Sequence, residues 1–335
     1  MVALSILDLV DVETGVEPAE ALRRSVELAR SAEAWGYRRY WVGEHHSYPG
    51  SASSSPAVFL THLAHVTSRI RLGSGGVMLT NHAPIVVAEQ FGILSTFFPG
   101  RIDLGVGRAP GALPAVAQAL RRSADDGAPD AFAGRVSELL GFLGRGFQQE
   151  HPYARDHVFA MPPAPGVPVW MLGNSKTGGE LAGLLGLPFA AAWHINAQSA
   201  IEGIEAYLSS FQPSPALVLP YVMVSVTAVC ADTGIKAMRL ARSGPLMRVL
   251  IRKQQQTAVP TPEQAARYRY SADERRFVDQ LLGDAAIGTP RTVRARLTEI
   301  QAQTGANELM LTSVIPGFTQ RMHSYELIAK EFALS

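Results

Sequence analysis

Cysteine is almost absent from this sequence, and so is any excess of charge of one sign. The single cysteine, Cys230, lies in an apolar run and can form neither an internal disulfide nor a thiolate metal cage, so we expect a small buried hydrophobic residue. The formal net charge of +1 provides no basic field that would attract nucleic acid or an anionic membrane surface. Charged residues make up 18% of the chain and hydrophobic residues 47%, which excludes disorder and supplies a large core.

Long hydrophobic runs are missing as well. The longest, residues 215–230, is shorter than the ~20 residues that a membrane span needs, and Pro220 interrupts it. The first residues, MVALSILDLVD, have no basic segment and contain Asp8, so we interpret them as a strand rather than a signal peptide. We therefore expect a cytoplasmic protein that has neither a membrane nor a nucleic acid as its partner.

The sequence does contain a regular alternation of strand and helix signals. Pro18 opens a segment with apolar residues at helical spacing, and Gly36 follows its end. Two strand-like segments, RIRLGSG from Arg69 and RIDLGVG from Arg101, share one pattern 32 residues apart, which is about one strand–helix unit. About eight such units predict a single (β/α)8 TIM-barrel domain over residues 1–335, with insertions near 108–130 and 240–288.

In a barrel of this kind the active site lies at the carboxyl ends of the strands. Polar or glycine-rich segments follow several predicted strands, and we expect them to meet in a pocket. They are Glu44-His45-His46, Ser74-Gly75-Gly76, Arg108, Asn174-Ser175-Lys176 and Trp193-His194.

The histidine pair in YWVGEHHSYPG has three interpretations. A metal site is disfavoured, because neighbouring side chains on an extended strand point in opposite directions and no acidic cluster accompanies them. We therefore predict no metal. His45 or His46 as a general acid/base fits better, since imidazole titrates near neutral pH. A hydrogen-bonded supporting role stays open.

The segment LGNSKTGGE, residues 172–180, is a strand end, a small polar loop and a helix start. Backbone amides at a helix amino terminus bind anions, and Arg108 can add a bidentate contact to a phosphate. Simple helix capping is the alternative. Neither a Walker A sequence nor a correctly spaced G-x-G-x-x-G is present, so we expect no nucleotide triphosphatase and no Rossmann site.

Taken together, these segments resemble the bacterial luciferase-like flavin-dependent monooxygenases, and most closely their single-chain, alkanal-monooxygenase-like branch. The resemblance is carried by YWVGEHHSYPG, by residues 53–111 from SSSPAVFL to GRAPG, by VWMLGNSKTGGELAGLLGLPFAAAWHIN and by GFTQRMHSYELIAKEF. It covers nearly the whole chain and is weakest at 112–160 and 240–288. It implies a TIM barrel that binds FMN, receives FMNH2 from a separate flavin reductase, uses O2 as co-substrate and forms a homodimer.

The resemblance also implies roles for particular residues. His45, which follows Glu44 in the E-H-H motif, corresponds to the catalytic histidine of the family, and we predict His45 and Glu44 as the catalytic residues. Gly75-Gly76 corresponds to a non-prolyl cis peptide beneath the isoalloxazine ring, and Arg108 to the arginine that reaches the FMN phosphate.

Four further positions follow from the same resemblance. Asn174, Ser175 and the Gly178 amide lie on the phosphate loop, and Trp193 stands where an aromatic residue borders the flavin. Gly107 departs from the family pattern because luciferases carry a cysteine there, near flavin C4a. Asn174 also departs, because it aligns with a glutamate of the luciferase loop. We do not expect light emission.

We therefore predict a monooxygenase that uses C4a-peroxyflavin chemistry to hydroxylate or epoxidise an organic substrate. A composition rich in Ala, Arg, Gly and Pro is typical of high-GC bacteria, and a polyketide is our first expectation for the substrate. A long-chain aldehyde or alkane is the second. An F420-dependent hydride-transfer enzyme and a non-catalytic flavin-binding protein are the remaining candidate functions. Basic residues of the second insertion form either a lid for an acidic or phenolic substrate or a solvated helix face; they are Arg242, Arg248, Arg252 and Lys253.

Overall fold

The structure is a computed structural model, and it describes residues 2–109, 114–120, 128–255 and 257–334. The strands are β1 Ala3–Asp8, β2 Arg39–Val42, β3 Arg71–Ser74, β4 Val77–Met78, β5 Ile102–Gly107, β6 Val169–Gly173, β7 Phe189–Ala191, β8 Val222–Cys230, β9 Ala286–Gly288 and β10 Glu308–Thr312. Within this described part, eight strands pair in the parallel order β1-β2-β3-β5-β6-β7-β8-β10, and β10 returns to β1. The predicted (β/α)8 barrel is confirmed.

Helices surround this barrel. They are α1 Pro18–Ala34, α2 Pro56–Val66, α3 Pro84–Phe97, α4 Pro114–Ala119, α5 Pro129–Leu140, α6 Pro152–Arg155, α7 Lys176–Leu184, α8 Ala197–Ser210, α9 Gly234–Ala241, α10 Ser243–Arg252, α11 Pro262–Arg267, α12 Ala272–Asp284, α13 Pro290–Thr304 and α14 Phe318–Glu331. Many of them begin at proline, whose fixed φ suits the first helical turn and whose missing N–H is not needed there. No helix in the described residues is long and apolar enough to cross a membrane.

The two sequence repeats become neighbouring strands of the barrel. Leu72 of β3 pairs with Ile102 of β5, and not with Leu104, its counterpart in the repeat. Equivalent residues are thus displaced along the sheet, which is the stagger that closure of a barrel requires.

Large side chains fill the barrel interior. Trp41 and Trp170 meet edge to face with 5.4 Å between ring centroids, and they pack with Met223 and Met310. Because the interior is a packed core, a ligand site has to lie at one end of the barrel.

A buried ion network occupies the amino-terminal end. Arg39 Nη1 lies 2.7 Å from Asp103 Oδ2, and Arg39 Nε lies 3.0 Å from Glu308 Oε1. Arg71 Nη2 adds a contact of 2.6 Å to Asp103 Oδ1. Burial opposes the charge of Arg39, yet the two carboxylates hold its pKa above the ordinary value. These residues join β2, β3, β5 and β10 at the end opposite the predicted site.

The structure describes more of the second predicted insertion than of the first. Of the segment 108–130, residues 110–113 and 121–127 lie outside the described residues, and α4 stands between them. The segment 240–288 folds as α10, α11 and α12 and ends in β9, which extends the sheet by pairing with the end of β8. The helical character predicted for this segment is confirmed.

Candidate active site

A large cavity of about 1260 Å³ opens at the carboxyl ends of the barrel strands. The predicted residues that line it are His45, Gly75, Gly76, Gly107, Arg108, Asn174, Ser175 and Gly178. Drug-sized ligand pockets usually measure roughly 300–1,000 Å³, so this cavity has room for a cofactor and a second molecule. The expectation that the polar strand ends meet in one pocket is therefore met by the geometry.

Glu44 lies behind the cavity wall, where it is fully buried. Its Oε1 accepts hydrogen bonds from His46 Nε2 at 2.8 Å and His82 Nε2 at 2.9 Å, and its Oε2 accepts from the Met78 amide at 3.0 Å. Burial raises the pKa of this carboxyl, but these hydrogen bonds outweigh it and the net shift is downward. Glu44 is thus an anionic anchor that fixes the loop after β2 to the segment after β4.

His82 is a partner of Glu44 that the sequence pattern did not reveal. Together with Glu44 and His46 it places three potential ligand atoms within 4.8 Å of one another. The prediction against a metal rested on the adjacent pair, His45 and His46, because residue spacing cannot show that a distant histidine joins them. In the structure both Nε2 atoms are already engaged as hydrogen-bond partners of the same carboxylate oxygen.

His45 lines the cavity and is held differently from His46. Its backbone amide donates to the Ser53 carbonyl at 2.8 Å, and its ring packs near Tyr48 with 5.9 Å between centroids. Among the described residues no group hydrogen-bonds its buried Nδ1, and the residue lines the cavity. Burial lowers the pKa of the imidazole although Glu44 opposes the shift, so the ring is neutral at pH 7.

Glycines give the cavity a bare backbone floor. The peptide bond between Gly75 and Gly76 is cis, as the resemblance implied. A Cβ on Gly76 would come within 2.9 Å of the Gly105 carbonyl oxygen, so a side chain has no room there. A Cβ on Gly107 would meet only Met78 Sδ at 3.6 Å, so the absence of the luciferase cysteine does open space. A flat ring system can rest on such a surface.

The amino terminus of α7 forms one side of the cavity. Ser175 caps the helix, and its Oγ accepts from the Gly178 amide at 3.2 Å. The capping alternative is therefore present, and it takes up the amide that the resemblance gave to the phosphate. The first amides of a helix lack intrahelical partners, and the helix dipole attracts negative charge. Thr177 and Asn174 complete the rim.

Arg108 supplies the positive charge next to this helix. Among the described residues its guanidinium forms no hydrogen bond or ion pair, although the residue lines the cavity. Lys176, by contrast, is exposed and lies 3.7 Å from Glu202, so it serves the outer surface rather than the anion site.

Trp193 differs from the expectation. Its side chain is buried in the core, its Nε1 donates to the Asp284 carbonyl at 2.8 Å, and it is not among the residues that line the cavity. Its neighbours Ala192 and His194 do line the cavity, and Trp193 and His194 lie in the turn that follows β7. A role for Trp193 as an aromatic border of the cofactor has no support in this geometry.

His194 lines the cavity, as its place after a predicted strand led us to expect, and Asp11, which no sequence pattern singled out, lines it too. His194 Nδ1 lies 2.8 Å from Ser225 Oγ, and burial together with the charge of Arg248 lowers the pKa of its imidazole to about 3. Asp11 lies 3.5 Å from Arg321 Nη1, and burial raises the pKa of its carboxyl to about 7. Asp11 follows β1, so the rule that pointed to the other strand ends could have found it.

A (β/α)8 barrel that gathers a neutral histidine, a glycine floor and a helix amino terminus at the carboxyl ends of its strands has the architecture of an enzyme. The chain belongs to the luciferase-like monooxygenase family, whose model matches residues 2–308. At the level of this family it is a flavin-dependent monooxygenase.

Individual relatives agree with this assignment. The chain is 40% identical over 330 residues to a luciferase-like monooxygenase of Escherichia coli K12, covering 97% of this chain and 96% of the relative. It is 32% identical over 338 residues to the N-acetyl-S-alkylcysteine monooxygenase of Bacillus subtilis, covering 98% of each. The crystal structure of apo-MsnO8 superposes with a TM-score of 0.86 and 33% identity, covering 100% of this chain and 99% of that one.

Proposed function

We propose that this protein is an FMNH2- and O2-dependent monooxygenase that inserts one oxygen atom into an organic substrate and releases the other as water. The observation that carries the proposal is the joint presence, in one cavity, of His45 and of an anion site made by Arg108 and the α7 amino terminus. The phosphate of FMN suits the anion site, and its flat ring suits the glycine floor. When bound in reduced form, it supplies the electrons that activate O2.

The residues of the chain then have separate tasks. Arg108 and the first amides of α7 bind the phosphate, and the glycine floor receives the ring. His45, neutral at pH 7, lines the cavity and takes or gives a proton there. Glu44 does not touch the cavity; it orients His46 and His82 and so fixes the loop that carries His45.

The partners and the substrate class stay predictions. A separate flavin reductase is the expected source of FMNH2, and the cavity volume admits a polyketide or a long-chain aldehyde beside a flavin. Exposed apolar side chains on α2 and α3, among them Val58 and Phe97, are consistent with the expected homodimer.

The test is a single-turnover reaction of the protein with photoreduced FMN and ¹⁸O2. The probes are N-acetyl-S-methylcysteine, decanal and 1-naphthol, which represent a thioether, an aldehyde and a phenolic polyketide. We expect a product that carries one ¹⁸O atom from at least one probe. We expect His45→Ala to lower its formation by about 10²–10⁴-fold while the FMN affinity stays within twofold. Unchanged product formation in that variant would remove His45 from the chemistry.

An anaerobic titration with reduced FMN and with reduced F420 separates the competing functions. Tighter F420 binding, with hydride transfer and no O2 uptake, would replace the proposed function by deazaflavin chemistry. FMN binding without labelled product from any probe would favour a flavin-binding protein. Arg108→Met should weaken FMN binding about tenfold or more, because it removes a charge-assisted contact to the phosphate.

A further inference from the structure

Of the four basic residues that the sequence analysis singled out in the second insertion, Arg248 is the one that lines the cavity. The others are engaged elsewhere or exposed: Arg252 stacks on the Phe277 ring with 3.3 Å to its centroid, Lys253 Nζ lies 3.2 Å from Glu274 Oε1, and Arg242 is exposed. Of the two alternatives that the sequence left open, a solvated helix face fits the exposed Arg242, and the lid for an acidic or phenolic substrate stays a prediction.

Arg248 has no counter-ion. In the part of the chain that the structure describes, its guanidinium forms no hydrogen bond and no ion pair. Burial and the nearby charge of Arg252 lower its pKa, which means that the site around it is poorly solvated. A shielded guanidinium without an acceptor is costly, and a ligand with an oxyanion removes that cost.

The cavity wall offers little negative charge of its own. Of the described residues that line the cavity, Asp11 is the only carboxyl, and Arg321 already lies 3.5 Å from it. The cations among the same residues are Arg108 and Arg248. The cavity wall therefore suits a ligand that brings negative charge with it.

The cofactor phosphate does not account for Arg248. In the proposed function the phosphate is bound by Arg108 and the α7 amino terminus, which follow β5 and β6. Arg248 comes from α10, and the groups that act on its charge are Arg252 and Tyr48, the latter on the loop after β2. Tyr48 also has a buried hydroxyl without a partner among the described residues, so it can donate a hydrogen bond to a ligand that Arg248 binds.

Apolar residues adjoin Arg248 in the wall. Met247 and Ile251 lie on the same helix, and Leu281 and Leu282 face the cavity from α12. A ligand that contacts both Arg248 and these apolar side chains has an apolar body and one anionic end.

We propose that Arg248 binds the carboxylate of the substrate, so that the enzyme acts on organic acids with an apolar body. The proposal rests on the proposed function for its reaction, but binding of the acid can be measured without turnover. It disfavours alkanes and aldehydes, which have no anionic group for Arg248.

The test uses calorimetric binding of matched acids and methyl esters to the FMN-loaded protein. The probes are hexanoate, octanoate and 4-(methylthio)phenylacetate with their esters. We expect at least one acid to bind about tenfold or more tightly than its ester, as for a hydrogen bond to a charged group. In Arg248→Met and Arg248→Gln the preference should fall to within about twofold, with ester affinity unchanged. Arg252→Met, on the same helix but off the cavity, should keep the full preference.

Several results would overturn the proposal. They are an acid preference that survives both Arg248 variants, no acid preference in the unmodified protein, and no binding of any acid. Loss of FMN affinity with an unchanged acid-to-ester ratio would assign Arg248 to the cofactor instead. Equal competition by inorganic phosphate would indicate a general oxyanion site. Because none of these readouts needs O2, failure of oxygen insertion alone leaves the inference standing, and failure of acid binding leaves the proposed function standing.

Discussion

At the scale of single residues, the cavity wall is defined by groups whose ordinary partners are missing or whose pKa is shifted by burial. His45 has an orphaned Nδ1, Arg108 and Arg248 lack protein acceptors among the described residues, and Asp11 is an acid whose pKa is raised to about 7. Such features cost stability in a folded chain, and they are concentrated where ligands bind. Trp193, by contrast, lies in the core, and its Nε1 has a hydrogen-bond partner there, the Asp284 carbonyl oxygen.

Asp11 predicts a pH dependence of stability. In the unfolded chain its carboxyl loses its proton near the ordinary aspartate pKa of 3.8, but in the folded chain it does so only at about 7. Between these values the folded state holds more protons, so Asp11 makes the protein less stable as the pH rises. Asp11→Asn removes this slope, and its stability relative to the unmodified protein should increase from pH 4 to pH 7 and then level off.

Urea unfolding at several pH values measures this effect. Glu20→Gln is the control, because hydrogen bonds from Arg23 and Arg24 lower the pKa of Glu20 and both arginines stay charged, so its contribution is constant above about pH 6. A flat difference for Asp11→Asn between pH 4 and pH 8 would contradict the shifted pKa.

At the scale of elements, function depends on the first turns of helices and on the loops that follow the strands. The start of α7 was predicted either as an anion site or as a plain helix cap, and the structure shows the cap, in which Ser175 Oγ accepts from the Gly178 amide. The cap fixes the first turn, and the fixed turn aims the remaining amides at the cavity. A change that removes the helix cap is therefore expected to weaken anion binding at α7 as well.

Ser175→Ala should lower the free energy of unfolding by about 1 kcal/mol, the usual value of a lost cap, and should weaken FMN binding as well. Thr233→Ala is a matched control, because Thr233 Oγ1 accepts from the Lys236 amide at 3.2 Å, as Ser175 Oγ does from the Gly178 amide, but at α9. It should show the same loss of stability with unchanged FMN binding. Equal effects of both variants on FMN would mean that α7 has no part in the anion site.

At the scale of the whole molecule, the barrel separates stability from function along its axis. The buried network around Arg39 lies at the amino-terminal end, and the cavity lies at the carboxyl end. The tryptophans and methionines between them fill the interior. Changes at one end should therefore leave the other end intact.

Arg39→Met should lower the free energy of unfolding by about 3–5 kcal/mol, because Asp103 and Glu308 lose a charged partner in a buried site. Arg38→Met is the control: Arg38 is about half exposed and lies 3.8 Å from Glu308, so its loss should cost less than about 1 kcal/mol. Chemical denaturation measures both, and similar losses for the two variants would refute the importance of burial.

The exposed apolar face of α2 and α3 predicts an effect on assembly. Val58 is 71% exposed on α2 and Phe97 is 69% exposed on α3, and because these two helices pack together, their exposed apolar side chains form a candidate contact surface. Phe97→Glu should shift the mass measured by light scattering from dimer to monomer. Ile235→Glu, at an 87% exposed position on α9, should leave the mass unchanged. A monomeric unmodified protein would contradict the expected homodimer.

The sequence by itself determined the order of strands and helices, the closed parallel barrel and the strand ends that carry the site. It could do so because apolar periodicity, helix-starting prolines and strand-end glycines are local signals, and a barrel brings all carboxyl strand ends to one face. Only the tertiary structure decided which side chains meet there. His82 joining Glu44, Trp193 turning into the core, and Arg248 being the one basic residue of its segment to line the cavity depend on how distant segments pack, which no local pattern encodes.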